Sequence, residues 1–281
     1  MIDPDALLLV INRIDAELIA RASPVIVGLC GAQGSGKTTW ARAIASHYRQ
    51  RGVRTGVLSI DDLYLTKRER LALAADVHPL LATRGPPGTH DIELGKRVFT
   101  DIRAGRTAIL PRFDKALDDR CPESLWDISP AGSRLLIFEG WCVGAVPQSD
   151  DALVTPVNAL EGIEDPAGIW RRYCNDALSG DYQALFAGID LMLLLKAPSF
   201  KTVLSWRTQQ EHEIRKATLG GMTDAAIIRF IDHYERLTRH ILAEMPDRAD
   251  MTLSLDTSRR VEGIRRKQLA RRKAQLSRTP I

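Results

Sequence analysis

Short apolar runs alternate along this chain with longer stretches in which apolar residues recur at helical spacing. Residues 25–30, 53–60, 134–138, 190–195 and 251–255 read as strands, several of them apolar enough to be buried on both faces. Leu7, Leu8, Val10, Ile11, Ile14 and Leu18 mark a helix over 6–20, and Trp40, Ala43, Ile44 and His47 mark another over 38–49. Further helices are predicted over 91–103, closed by Gly105, and over 166–187, 199–217 and 223–244, the last after a Thr223 cap. Residues 107–110 form a short strand before Pro111. Strands alternating with helices predict a mostly parallel sheet covered on both faces, a three-layer α/β/α sandwich. We expect one domain over 1–258 and a basic tail over 259–281. Two Pro/Gly-rich stretches, 76–92 and 140–165, read as insertions on the ligand side.

In such sheets, ligands bind at the carboxyl ends of the strands. Three strand ends here are polar. The first is Gly31-Ala32-Gln33-Gly34-Ser35-Gly36-Lys37-Thr38, followed by Thr39, which fits the phosphate-binding pattern G-x-x-x-x-G-K-[ST] between a strand and a helix. Its glycines let backbone N–H groups turn toward an anion, and the helix N-terminus adds partial positive charge. Lys37 would reach the outer phosphates and Thr38 would hold Mg²⁺. This is the P-loop NTPase signature, and it implies a bound nucleoside triphosphate. The second strand end is Asp61-Asp62. Asp61 is the candidate base for an acceptor hydroxyl, and Asp62 a candidate for ordering water around the metal. The third is Glu139 in Leu-Leu-Ile-Phe-Glu-Gly, a candidate for the metal shell.

Composition narrows the class. No apolar run approaches the roughly 20 residues of a membrane span, and 190–195 is followed at once by Lys196. Four scattered cysteines without a C-x-x-C pair point to free thiols in a reducing cytoplasm, not to a disulfide or zinc framework. The histidines show no metal-ligand spacing. The net charge of +4 divides into +8 over residues 259–281 and −4 over the rest. A solvated helix or disordered end is favoured over nucleic-acid contact for that tail, which lacks interleaved aromatics. Leu178-Ser179-Gly180-Asp181-Tyr182-Gln183 resembles a transporter-ATPase signature, but the next strand ends in Lys196-Ala197 without the acidic pair that family needs. No Asn-Lys-x-Asp segment supports a GTPase.

Ser59-Ile60-Asp61-Asp62-Leu63-Tyr64-Leu65 is similar to a segment of the uridine kinase, phosphoribulokinase and pantothenate kinase group. Four more segments sharpen the match: residues 84–91 (Arg-Gly-Pro-Pro-Gly-Thr-His-Asp), 110–115 (Leu-Pro-Arg-Phe-Asp-Lys), 138–144 (Phe-Glu-Gly-Trp-Cys-Val-Gly) and 206–211 (Trp-Arg-Thr-Gln-Gln-Glu). In this order, from about residue 25 to 255, the chain resembles the D-glycerate 3-kinase family. The stretch after Tyr234 lacks the Tyr-x-Pro-x-Tyr pattern associated with that family, and the basic tail is a second departure. The resemblance implies ATP-dependent phosphorylation of D-glycerate to 3-phosphoglycerate, with Asp61 as base and Glu139 in the magnesium shell. Alternatives are another acceptor (a nucleoside, pantothenate or another hydroxy acid) or a nucleotide-switched protein touching nucleic acid through its tail. A glycerate acceptor is anionic, so Arg84, His90, Arg112 and Lys115 are candidate contacts, and Asp91 is either a contact or a helix cap. Related kinases place a mobile lid over 199–217. Arg207 is the first candidate to meet the developing charge and Lys216 a weaker one. The plainer alternative is an amphipathic helix with pairs such as Glu211–Arg215, and Trp206 reads as packing.

Overall fold

The structure, a computed structural model, describes residues 2–218 and 222–267. Helix α1 (Pro4–Ala20) starts where Asp3 accepts the Asp5 and Ala6 N–H groups, and its Val10, Ile11 and Ile14 enter the core. Strand β1 (Val25–Gly31) is buried at every residue and leads through the phosphate loop into α2 (Lys37–Gln50). Next come β2 (Thr55–Ser59), α3 (Lys67–Asp76) and α4 (Ile92–Arg103). Four short strands follow: β3 (Ala108–Leu110), β4 (Phe113–Asp114), β5 (Asp119–Arg120) and β6 (Asp127–Ser129). After β7 (Leu135–Gly140) come α5 (Ala159–Glu164), α6 (Ile169–Ala177) and α7 (Gln183–Phe186). The chain ends with β8 (Leu191–Lys196), α8 (Phe200–Thr218), α9 (Asp224–Arg248), β9 (Met251–Leu255) and β10 (Val261–Arg266).

The main sheet has the order β10-β9-β8-β1-β7-β2, and every neighbouring pair is parallel except β9 with β10. The expected α/β sandwich is therefore the observed fold. Its inner strands are apolar on both faces because helices cover both sides. Ladder register sets the site: Glu139 pairs with Leu29 of β1 on one side and Ser59 of β2 on the other. The phosphate loop, Asp61 and Glu139 therefore leave the sheet at one level.

Three expectations change, and one helix, α3, was not foreseen. The strand expected over 107–110 is observed as Ala108–Leu110, but it pairs with β6 in a separate ribbon outside the parallel sheet. The helix expected over 166–187 is broken at Gly180, whose ψ of −110° is not helical. Helix α3 has no apolar stripe to reveal it. Its buried residue is Arg70, which donates to Leu65 O at 2.6 Å and Asp118 O at 3.0 Å. The boundary at 258/259 falls inside the β9–β10 hairpin, so 261–266 are a sheet edge and not a tail. Residues 268–281 lie outside the described residues.

The 84–91 segment is pinned to the sandwich. The Trp141 indole N–H donates to Gly85 O at 3.1 Å, the Tyr234 hydroxyl donates to Arg84 O at 3.0 Å, and Asp91 N–H donates to Leu63 O at 2.6 Å. Gly85 has φ +126°, and a Cβ there would lie 2.0 Å from the Tyr234 hydroxyl, so a side chain is excluded by both backbone and space. The Tyr182 hydroxyl accepts the Gly88 N–H at 2.9 Å and meets His90 Nδ1 at 2.5 Å. His90 stacks on Tyr64 with centroids 4.6 Å apart.

Burial lowers His90 from the ordinary imidazole value to about 3. The unfolded chain therefore binds one more proton than the folded chain between 6.5 and about 3, and stability falls as pH falls through that window. Wild type should lose up to about 1.4 kcal/mol per pH unit from this group. His90→Asn should lack that loss, so the stability gap between the two, read from denaturant midpoints, should narrow as pH drops from about 7 to 5.

Candidate active site

Between β1 and α2, Gly34 and Gly36 adopt φ +74° and +85°. A Cβ on Gly34 would lie 2.7 Å from Trp206 Cβ, so glycine permits both the turn and the contact with α8. Lys37 and Thr38 open α2, whose first N–H groups face the cleft end of the sheet. The Thr38 hydroxyl donates to Glu139 Oε1 at 2.8 Å. Glu139 is buried and its Oε2 has no hydrogen-bond partner among the described residues. Burial raises its carboxyl above the ordinary value, with Lys37 opposing and Asp61 adding to the rise. A buried carboxylate oxygen without a donor, beside a threonine hydroxyl, fits a hard divalent cation such as magnesium.

Across the cleft, Asp61 sits in a 3₁₀ turn (Ile60–Leu63) whose start is capped by the Ser59 side chain. Its Oδ1 accepts the Tyr64 hydroxyl at 2.8 Å, and its Oδ2 lies 2.5 Å from Lys115 Nζ. Burial alone would raise the Asp61 carboxyl. Lys115 and Lys37, with the hydrogen bonds from Lys115 and Tyr64, instead hold it well below the usual carboxylate range.

The remaining candidates divide. Asp62 was expected near the metal, but its two oxygens accept the Phe113 N–H at 3.1 Å and Arg112 Nη1 at 2.7 Å. Arg112 also bonds Asp127, and Arg84 pairs with Asp118, so both guanidinium groups line the cleft with carboxylates attached. His90 and Asp91 do not line it. His90 is buried behind Tyr64. Asp91 caps α4 by accepting the Leu94 N–H at 3.0 Å and pairs with Arg120 at 3.3 Å. His90 is thus corrected from an acceptor contact to a support of the loop, and of the two readings of Asp91 the helix cap is the one observed.

From α8, Arg207 lines the cleft, pairs with Glu211 and lies 5.1 Å over the Phe230 ring. Glu211 is thus taken by Arg207, and Arg215 pairs with Asp224 at 2.5 Å. Lys216 lies away from the cleft on the same helix. Trp206 is buried and donates to Thr257 O at 2.7 Å, a packing role as expected.

The sequence reading missed Arg259. It has φ +66°, donates from Nε to Gly34 O at 2.6 Å, and lies 5.3 Å over the Trp206 ring. Applying the strand-end rule to 251–255 would have pointed to this turn. Trp141 and Tyr234 also line the cleft, and neither was given a role. Together these groups enclose about 1510 Å³ at the carboxyl ends of the strands.

No family model matches the chain. The uncharacterized kinase mug58 of Schizosaccharomyces pombe is 34% identical over 222 residues, covering 75% of this chain and 78% of the relative. The probable ATP-dependent kinase TDA10 of Saccharomyces cerevisiae is 30% identical over 273 residues, covering 85% and 87%. Among solved structures, D-glycerate 3-kinase from Cryptococcus neoformans var. grubii superposes with a TM-score of 0.79 at 25% identity, covering 94% of this chain and 100% of that one. With a phosphate loop, a strand-end base candidate and a cation-bearing second wall in one cleft, the chain belongs to the D-glycerate 3-kinase/TDA10 family of ATP-dependent P-loop kinases.

Proposed function

We propose that this kinase transfers the γ-phosphate of ATP to a hydroxyl of a small hydroxy acid, with D-glycerate to 3-phosphoglycerate as the reaction. The observation that carries this reading is the position of Asp61. Its carboxylate feels Lys37 from the phosphate-loop side and Lys115 from the opposite wall. A base for phosphoryl transfer belongs where donor and acceptor meet. The cations beyond it, Lys115 and Arg84, suit an acceptor that carries a carboxylate.

In this mechanism the loop N–H groups and Lys37 hold the β- and γ-phosphates. Thr38 and Glu139 would hold magnesium, which supplies charge neutralisation at those phosphates. Asp61 takes the acceptor hydroxyl proton while that oxygen bonds to the γ-phosphorus. The bond from phosphorus to the bridging oxygen breaks and ADP leaves. Arg207, on the wall formed by α8, is the candidate to meet charge developing on the transferred group, and Tyr64 keeps Asp61 oriented. Arg259 fixes the Gly34 carbonyl and so the curvature of the phosphate loop.

Coupled ADP release over D-glycerate, pantothenate, uridine and ribulose 5-phosphate should give the highest kcat/KM with D-glycerate. Preference for the uncharged uridine would overturn the hydroxy-acid reading. Asp61→Asn should lower kcat by about 10²- to 10⁴-fold, the span of general-base contributions, while ATP titration stays near wild type. Arg259→Ala should raise the ATP KM about tenfold, as expected for losing one charge-assisted hydrogen bond, and leave the acceptor KM unchanged.

A further inference from the structure

Three cations stand on the acceptor wall, and their partners differ. Arg84 is paired with Asp118, and Arg112 with Asp62 and Asp127, all carboxylates with no other assigned part in the reaction. Lys115 is paired with Asp61, the proposed base itself, at 2.5 Å. The pair is asymmetric. Lys115 lies in the turn between β4 and β5 with its side chain 59% exposed, whereas the Asp61 side chain is 19% exposed. Asp61 is also anchored: Ser59 caps its turn, and Tyr64, stacked on buried His90, holds its other oxygen. The lysine is therefore the partner that can leave. Its stem is long and flexible, and a half-exposed ion pair is weak.

We propose that Lys115 is a specificity-determining residue that makes transfer conditional on an anionic acceptor, because only an acceptor carboxylate draws the ammonium off Asp61. The inference rests on the reading of Asp61 as base. The exchange trades one ion pair for another and moves no proton. It leaves Asp61 Oδ2 open to the acceptor hydroxyl. That hydroxyl gives its proton to Asp61, its oxygen bonds to the γ-phosphorus, and the bond to the bridging oxygen breaks with departure of ADP. A neutral polyol or a water molecule brings no anion, so the pair stays closed. The same contact thus selects the acceptor and restrains wasteful hydrolysis of ATP.

The test compares wild type, Lys115→Met, Lys115→Arg and the double variant Lys115→Met/Asp61→Asn, each first shown to bind ATP. ATP hydrolysis without acceptor, and turnover of glycerol, should rise about tenfold in Lys115→Met, a fraction of what a freed general base supplies. Turnover of D-glycerate by Lys115→Met should fall through a raised KM. Lys115→Arg, which keeps a cation beside Asp61, should raise hydrolysis less than Lys115→Met does, and the double variant should cancel the gain. Hydrolysis and glycerol turnover in Lys115→Met at or below wild type would overturn the proposal and reduce Lys115 to an acceptor contact. A wild type inert toward every hydroxy acid, with hydrolysis still raised in Lys115→Met and cancelled by Asp61→Asn, would overturn the acceptor reading while supporting restraint of the base.

Discussion

The ladder joining β1, β7 and β2 is the constraint on which the cleft depends. Leu29, Glu139 and Ser59 stand side by side in parallel register. Two residues beyond Leu29 the phosphate loop begins, and two residues beyond Ser59 stands Asp61. A slip of one residue would turn Glu139 to the other face of the sheet and separate it from Thr38. Burial of β1 and β7 at every position makes such a slip costly, because each apolar side chain would lose its fitted surroundings. The core therefore acts on the chemistry through register.

Charge in this cleft is arranged in pairs. Lys115 faces Asp61, Arg112 bridges Asp62 and Asp127, Arg84 meets Asp118, and Arg207 meets Glu211. A count of basic residues would describe the acceptor wall as strongly cationic. The pairing makes it nearly balanced, so an anion enters by exchange rather than by simple attraction. Partly buried pairs of this kind add little net stability, because desolvation offsets most of their attraction. Their consequence is geometric, in fixing which cation can move without stranding a carboxylate.

The sandwich was legible in the sequence wherever an element buries an apolar face, as in β1, β7, β8 and α2. The phosphate loop and the strand-end positions of Asp61 and Glu139 were legible because such chemistry needs fixed residue types at fixed places. What escaped had other physical causes. Helix α3 buries Arg70 and not an apolar stripe, so its hydrophobic pattern carries no helical signal; the signal it does carry is the Thr66–Glu69 capping box, which the reading by apolar pattern passed over. The strand at 107–110 has ordinary strand composition, and its partner was set by a ribbon fold that pattern cannot reveal. Asp62, Arg112, His90 and Asp91 carry suitable functional groups, but three-dimensional pairing spends those groups on structure. Motif spacing names candidate side chains; it does not say which hydrogen-bonding sites remain open.

Arg259 shows the same limit from the opposite direction. A basic run near the end of a chain reads by composition as a solvated appendage, because its charge is averaged over many residues. In the fold, the run begins with a turn that holds a non-glycine residue at φ +66°. Such a conformation persists only where surrounding contacts outweigh its strain. Here those contacts are Gly34 O, the Trp206 ring and Gln209 Oε1 at 3.0 Å. They join the phosphate loop, α8 and the β9–β10 hairpin at one guanidinium. Displacing the hairpin would therefore release the Gly34 carbonyl and two contacts of α8, the Trp206 ring and Gln209, together, which makes the hairpin a working wall of the nucleotide cleft.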